Sequence, residues 1–256
     1  TLDVETNSET IAAYEELNSE RAIRRQLWSE ELLARGLNPL AFDEEYAAFF
    51  GCDFGGIDTS VDVISGDEYF SEMGYVTEKI NPPTEASIYT RLENTSIMVL
   101  SGHGEYDRVK FYQIGSSGEQ INQVGLYMGS GMNQGGYSYV GLAGRNLTNS
   151  RSTMRLMVLA ACETAKGASN ITKTAADRGA EASLGWVPRI SSIGTSIWLR
   201  SFYDYLAMGY HIQAARELAN NKQQQLGKIS PDVYESVLYG DGVTEVVNNP
   251  IGSRSL

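Results

Sequence analysis

The sequence predicts an α/β fold: a mostly parallel central sheet with helices on both faces. Three observations carry that prediction. Apolar runs such as Ile97-Met98-Val99-Leu100 and Leu156-Met157-Val158-Leu159-Ala160-Ala161 are continuous rather than alternating, the pattern of strands covered on both sides. Segments with helical spacing separate them. Two of the runs also end in a reactive side chain among small residues, at Ser101-Gly102-His103-Gly104 and at Ala160-Ala161-Cys162-Glu163-Thr164. In open α/β sheets that carboxyl edge is where chemistry is placed.

Residues 8–36 read as helix, with Ser8-Glu9-Thr10 as capping groups and Ile11, Tyr14, Leu17, Ile23, Leu27 and Leu32-Leu33 at helical spacing, until Gly36 and Pro39 stop it. This acidic segment precedes any strand, so residues 1–40 form an N-terminal helical extension packed on the main domain, or else a propeptide or interdomain linker. Residues 41–256 form the main domain. Tyr46-Ala47-Ala48-Phe49-Phe50-Gly51-Cys52 is the first buried strand, followed by a Gly-rich loop. Residues 58–73 are a helical connection, Tyr75-Val76-Thr77 an edge strand, and residues 85–92 a short helix started by Pro82-Pro83-Thr84. After the histidine strand, residues 109–128 alternate apolar and polar around Gly115-Ser116-Ser117-Gly118, which predicts a hairpin. Residues 129–144, rich in Gly, Ser and Asn, read as a mobile loop that gates a site, is cleaved for activation, or is plain surface. Residues 148–153 form a short helix before the cysteine strand. Beyond it come a helix at 170–178, a strand at 182–187, helices at 195–208 and 212–226, and a last strand within 233–247.

A chain of 256 residues is long enough for one large α/β domain with a substantial core. The net charge of −12 argues against a nucleic-acid partner, since phosphate binding depends on clustered Lys and Arg, and is compatible with a basic peptide substrate. No apolar run reaches the roughly 18 residues of a membrane span. The two cysteines, Cys52 and Cys162, imply no disulfide framework, and the sequence leaves a single bridge between them open as the lesser alternative. The chain opens at Thr1, as a mature form or a piece of something longer would, so further domains outside it stay open. On location, the reading is of a soluble protein leaning to an extracellular or cell-surface setting.

Thiol attack on a carbonyl needs a thiolate, an acid/base group and donors for the developing oxyanion. His103 is the imidazole a strand delivers; His211 sits at a helix start. Gly102 and Gly104 let backbone approach a substrate, and Ala160-Ala161 keep the path to the thiol clear. The backbone N–H groups of Gly104 and Cys162 are the natural oxyanion donors. No spacing of His, Cys and carboxylates suits zinc, so no metal or cofactor is called for. The Gly129-Ser130-Gly131 and Gly135-Gly136 run lacks the P-loop Lys and the dinucleotide spacing.

The ordered pair Leu100-Ser101-Gly102-His103-Gly104 and Leu159-Ala160-Ala161-Cys162-Glu163-Thr164 resembles the caspase-fold (clan CD) cysteine peptidases, which include caspases, legumain, clostripain, gingipains, separase and the bacterial CHAT domains. The similarity is greatest to CHAT-type and gingipain-type members, whose cysteine strand reads small-small-Cys-Glu-Thr. Residues 175–186, Phe202-Tyr203, Ala214-Ala215-Arg216 and Val237-Leu238-Tyr239-Gly240-Asp241 extend it over about 46–247. The resemblance implies a caspase-like three-layer sandwich and a peptide-hydrolysing dyad, with His103 as general acid/base and Cys162 as nucleophile. It implies a specificity pocket lined from Cys52, Asp53, Glu163, Trp186 and Pro188, and a peptide or protein as substrate. The alternative is a silent caspase-fold domain that binds a partner. Two departures stand out: Gly242 follows Tyr-Gly-Asp where a proline is common, and Ala160 replaces the Asp through which clostripain-like members select basic residues.

Overall fold

The computed structural model describes residues 45–54, 57–114, 120–148, 154–226 and 233–246. The N-terminal helical extension and the short helix read at 148–153 fall largely outside them. In chain order the first elements are β1 (Tyr46–Phe50), a pair of two-residue strands β2 (Asp53–Phe54) and β3 (Ile57–Asp58), α1 (Ser60–Glu72), β4 (Val76–Ile80), α2 (Glu85–Asn94) and β5 (Ile97–Ser101). Then come β6 (His103–Glu105), β7 (Arg108–Ile114), β8 (Gln120–Tyr127), β9 (Met132–Gln134) and β10 (Tyr137–Gly141). The chain closes with β11 (Leu156–Ala160), α3 (Ile171–Asp177), β12 (Ala182–Trp186), α4 (Ser192–Ala207), α5 (Ile212–Leu226) and β13 (Ser236–Gly240).

The continuous apolar runs become the middle of a six-stranded sheet in the order β13-β12-β11-β5-β1-β4. All neighbours are parallel except β13, which runs antiparallel on β12. Alternate side chains leave opposite faces of each strand, so both faces of these runs must be covered. On one face Ala47, Phe49, Ile97, Val99, Leu156, Val158, Leu184 and Trp186 pack with residues of α1, α4 and α5, among them Phe70, Trp198, Phe202 and Ala215. On the other, Ala48, Phe50, Met98, Leu100, Met157 and Leu159 pack with Ile88 and Leu92 of α2 and Ile171 and Ala175 of α3. The result is the expected three-layer α/β sandwich. Helix starts follow the sequence signals: Thr84 and Ser87 form a reciprocal capping box on α2, and the Asn170 side chain accepts from the Lys173 N–H on α3.

A second sheet, ordered β6-β7-β8-β10-β9, lies on the α2 side. The predicted hairpin is its β7–β8 pair. Val109, Phe111, Leu126 and Val140 on its inner face join the same core as Leu100 and Leu159. The segment 129–144 corrects the sequence reading, because it holds strands β9 and β10 rather than a loop. Gly135 and Gly136, at φ of +58° and +85°, turn the chain between Gln134 and Tyr137, the geometry of a two-residue hairpin turn that demands positive φ twice. The glycines that suggested a loop are there to close a hairpin.

The α1–sheet contact is tight at Gly66, where an added Cβ would fall 2.2 Å from the Phe49 ring. That ring is fully buried and wedged by Phe70 and Tyr203. Gly66→Ala is expected to lower stability in urea melts by about 1–2 kcal/mol, because overpacking outweighs the helical gain of a Gly-to-Ala change.

Candidate active site

β5 and β11 pair in parallel without offset, Leu100 facing Leu159 and Ser101 facing Ala160. One further rung, Gly102 N–H to the Ala160 carbonyl at 3.3 Å, carries the ladder past the strand ends before the two chains part. His103 then enters β6 opposite Lys110 of β7. Cys162 lies two residues beyond the end of β11, half-buried, as His103 is. The backbones stay in contact: a Cβ added at Gly104 would lie 2.3 Å from the Cys162 carbonyl oxygen, 2.7 Å from the Ala161 Cβ and 2.8 Å from the Cys162 nitrogen. Only glycine permits that approach. Among the described residues the Cys162 N–H donates to no backbone carbonyl.

The thiol itself rests against the segment that follows β12. The Ile190 N–H donates to Sγ at 3.4 Å, and Sγ donates to the Ile190 carbonyl at 3.6 Å. Glu163 is the one non-glycine residue with positive φ among the described residues, at 60°. Its N–H donates to the Pro188 carbonyl at 3.0 Å, so residues 188–190 run alongside 162–163. A non-glycine residue in the left-handed region stores strain, and here it sits directly after the thiol. The Glu163 carboxylate turns to Lys166 at 2.6 Å, and that ammonium holds it below the usual carboxylate range.

The His103 imidazole stands edge-on to the Tyr112 ring, with centroids 4.8 Å apart at 85°. Tyr112 continues to Tyr137 and Tyr137 to Tyr139, at 5.6 Å and 5.5 Å between centroids. These rings share the outer face of the second sheet with Lys110 and Arg108. Burial lowers the His103 pKa, and the Lys110 ammonium lowers it further. A neutral imidazole is the form that removes a proton from a thiol.

Five residues were expected to line a pocket, and the structure distributes them unevenly. Pro188 and Glu163 lie beside the thiol, as just described. Asp53 sits in the short strand β2, with its side chain outside the described residues. Cys52 and Trp186 are corrections: both are completely buried, Cys52 in the core on the α2 side and Trp186 in the core on the α4 side, where its indole N–H donates to the Val233 carbonyl at 2.6 Å. Apolar side chains at strand ends were drawn inward, because both faces of the sheet are covered there. Neither cysteine forms a disulfide. Sequence reading missed Ile190, which acts through backbone atoms, and the tyrosine array, whose signal was the alternation Tyr137-Ser138-Tyr139 inside the segment taken for a loop. Among the described residues no group of three His, Cys, Asp or Glu could hold a metal, and no helix is long and apolar enough to cross a membrane.

The layers and the strand order define a caspase-like α/β sandwich, with His103 and Cys162 at one edge of its central sheet. The crystal structure of the Arg-specific cysteine proteinase gingipain R is similar to this chain, with a TM-score of 0.53 at 12% identity over 77% of this chain and 46% of that one. At that identity the likeness is one of fold, and this chain spans just under half the length of the gingipain chain. No protein-family model matches the sequence, and no curated protein does.

Lys110→Met removes the cation beside His103 and leaves Glu105, the Lys110 partner, nearby. The His103 pKa is expected to rise. An NMR titration resolves it, since the chain holds only two histidines.

Proposed function

We propose that this chain is a cysteine endopeptidase in which Cys162 attacks a peptide carbonyl and His103 is the general acid/base. The observation that carries the reading is the in-register pairing of β5 with β11. It leaves an imidazole and a thiol at the same edge of adjacent strands, with the Gly104 backbone pressed against that of Cys162.

In the mechanism that follows, His103 takes the thiol proton and Sγ attacks the scissile carbonyl carbon. The carbonyl oxygen becomes an oxyanion that accepts from the N–H groups of Cys162 and Gly104. Collapse of that intermediate expels the amine, which leaves with the proton from His103, and water then hydrolyses the thioester. In the resting arrangement the Ile190 contacts occupy the thiol, so substrate must displace them as Sγ turns to the imidazole. Dyads commonly tighten only with substrate in place. The neutral state of His103 favoured by its surroundings is the one this first step needs. Once released from the thiol, the Ile190 N–H and carbonyl are a donor and acceptor pair that suits an extended peptide lying beside Cys162.

Cys162→Ala is expected to abolish cleavage of a peptide library, and His103→Ala to reduce kcat by about a hundredfold to ten-thousandfold. Iodoacetamide is expected to label the half-buried Cys162 ahead of the buried Cys52, read by mass spectrometry. Undiminished turnover in either variant rejects the dyad. A protein that labels at Cys162 but cleaves nothing in the library matches the silent, partner-binding alternative.

A further inference from the structure

A carboxylate is buried behind the strand edge, and the dyad chemistry does not use it. Asp62, in the first turn of α1, is 2% exposed. Its Oδ2 accepts the Ser101 hydroxyl at 2.5 Å, and its Oδ1 accepts the Ser196 hydroxyl. These two serines belong to opposite halves of the candidate site. Ser101 ends β5 and precedes His103 by two residues. Ser196 lies in the first turns of α4, whose N-cap, Ser191, directly follows the Ile190 that holds the thiol.

Other contacts reinforce the first half of the tie. Thr59, the N-cap residue of α1, directs its hydroxyl at the carbonyls of Ser101 and Cys52, at 3.0 Å and 3.1 Å, and accepts the Cys52 N–H at 2.8 Å. On the other side, the Ser196 hydroxyl lies 3.1 Å from the Ser192 carbonyl within its own helix. The groups facing Asp62 are Asp58, whose charge raises its pKa slightly, and the buried Tyr203, which feels the Asp62 charge in turn. Burial is the main influence and brings the carboxyl to about 6, with the two serine hydroxyls pulling against it. An ionisable group placed where it costs stability, in a core that an apolar residue would fill, needs a reason in function or specificity.

We propose that Asp62 is the positioning residue of the candidate site: by accepting one hydroxyl from the end of β5 and one from the start of α4, it holds the His103 strand in fixed relation to the Ile190 segment on the Cys162 thiol. The proposal deepens the peptidase reading and rests on it for its kinetic arm. Asp62 touches neither reactive side chain, so it acts through the two serines.

The test compares Asp62→Ala, which severs the tie, with Asp62→Asn, which preserves two polar atoms and lets the amide donate to Ser196 while that hydroxyl turns to the Ser192 carbonyl. For peptide turnover, Asp62→Ala is expected to lower kcat on the order of tenfold to a hundredfold at a KM within about twofold, the scale of a small misplacement of catalytic groups. Asp62→Asn is expected to restore most of it. The second arm needs no turnover. In a His103→Ala background, where no imidazole activates the thiol, Asp62→Ala is expected to speed iodoacetamide labelling of Cys162 severalfold as the Ile190 clamp loosens, and Asp62→Asn to reverse the gain. Should Asp62→Ala not fold, Ser196→Ala cuts the α4 side alone and is expected to act in the same direction in both arms. Folded variants with unchanged kcat and unchanged labelling overturn the proposal, as does a loss carried by KM alone. If the native protein cleaves no peptide, the peptidase reading fails and the labelling arm still decides the tie.

Discussion

The in-register parallel pairing of β5 and β11 is the constraint on which the other features of this molecule rest. Because Leu100 faces Leu159 and Ser101 faces Ala160, the residues that follow each strand emerge at one level of the sheet. A slip of one residue would turn one of the two apolar sets out of its core and swap faces along the whole strand. The pairing is therefore enforced by hydrophobic burial on both faces, far from any reactive atom. The meeting of the His103 and Cys162 segments at the edge is a consequence of packing beneath it. Gly104 shows how little freedom remains there, since its backbone lies where a side chain would overlap Cys162.

Past the edge the two chains separate for different physical reasons. The His103 segment leaves the first sheet to open the second, and its apolar neighbours Val109 and Phe111 fold under while His103, Lys110 and Tyr112 face outward. That places the imidazole in a half-buried, cation-flanked position that favours its neutral form. The Cys162 segment turns sharply through the positive φ of Glu163 and is held by the backbone of 188–190. The thiol's polar contacts are thus main-chain groups, which hold their place whatever side chains surround them.

The buried carboxyl of Asp62 belongs to the same architecture. Three elements, α1, β5 and α4, converge behind the edge, and none of them is linked to the others there by the sheet ladder. Side-chain hydrogen bonds through one acceptor replace the missing main-chain connection. Such a network is costly unless every member is satisfied, and here each carboxylate oxygen has a hydroxyl.

By itself the sequence determined the fold class, the parallel core strands and the placing of His103 and Cys162 just past the ends of two of them, because continuous apolar runs and the small residues around these two positions are local patterns that survive without knowledge of neighbours. It also supplied the β7–β8 hairpin through simple alternation. It misjudged 129–144, because glycines that close a tight hairpin have the composition of a loop, and it placed Cys52 and Trp186 in a pocket because exposure at a strand end depends on what packs above it. Tertiary structure alone decided that Ile190 meets the thiol, that tyrosines gather beside His103, and that Asp62 joins Ser101 to Ser196. Each of those contacts spans elements distant in the chain, and several use backbone atoms or a single buried side chain, for which no periodicity or motif exists to be read.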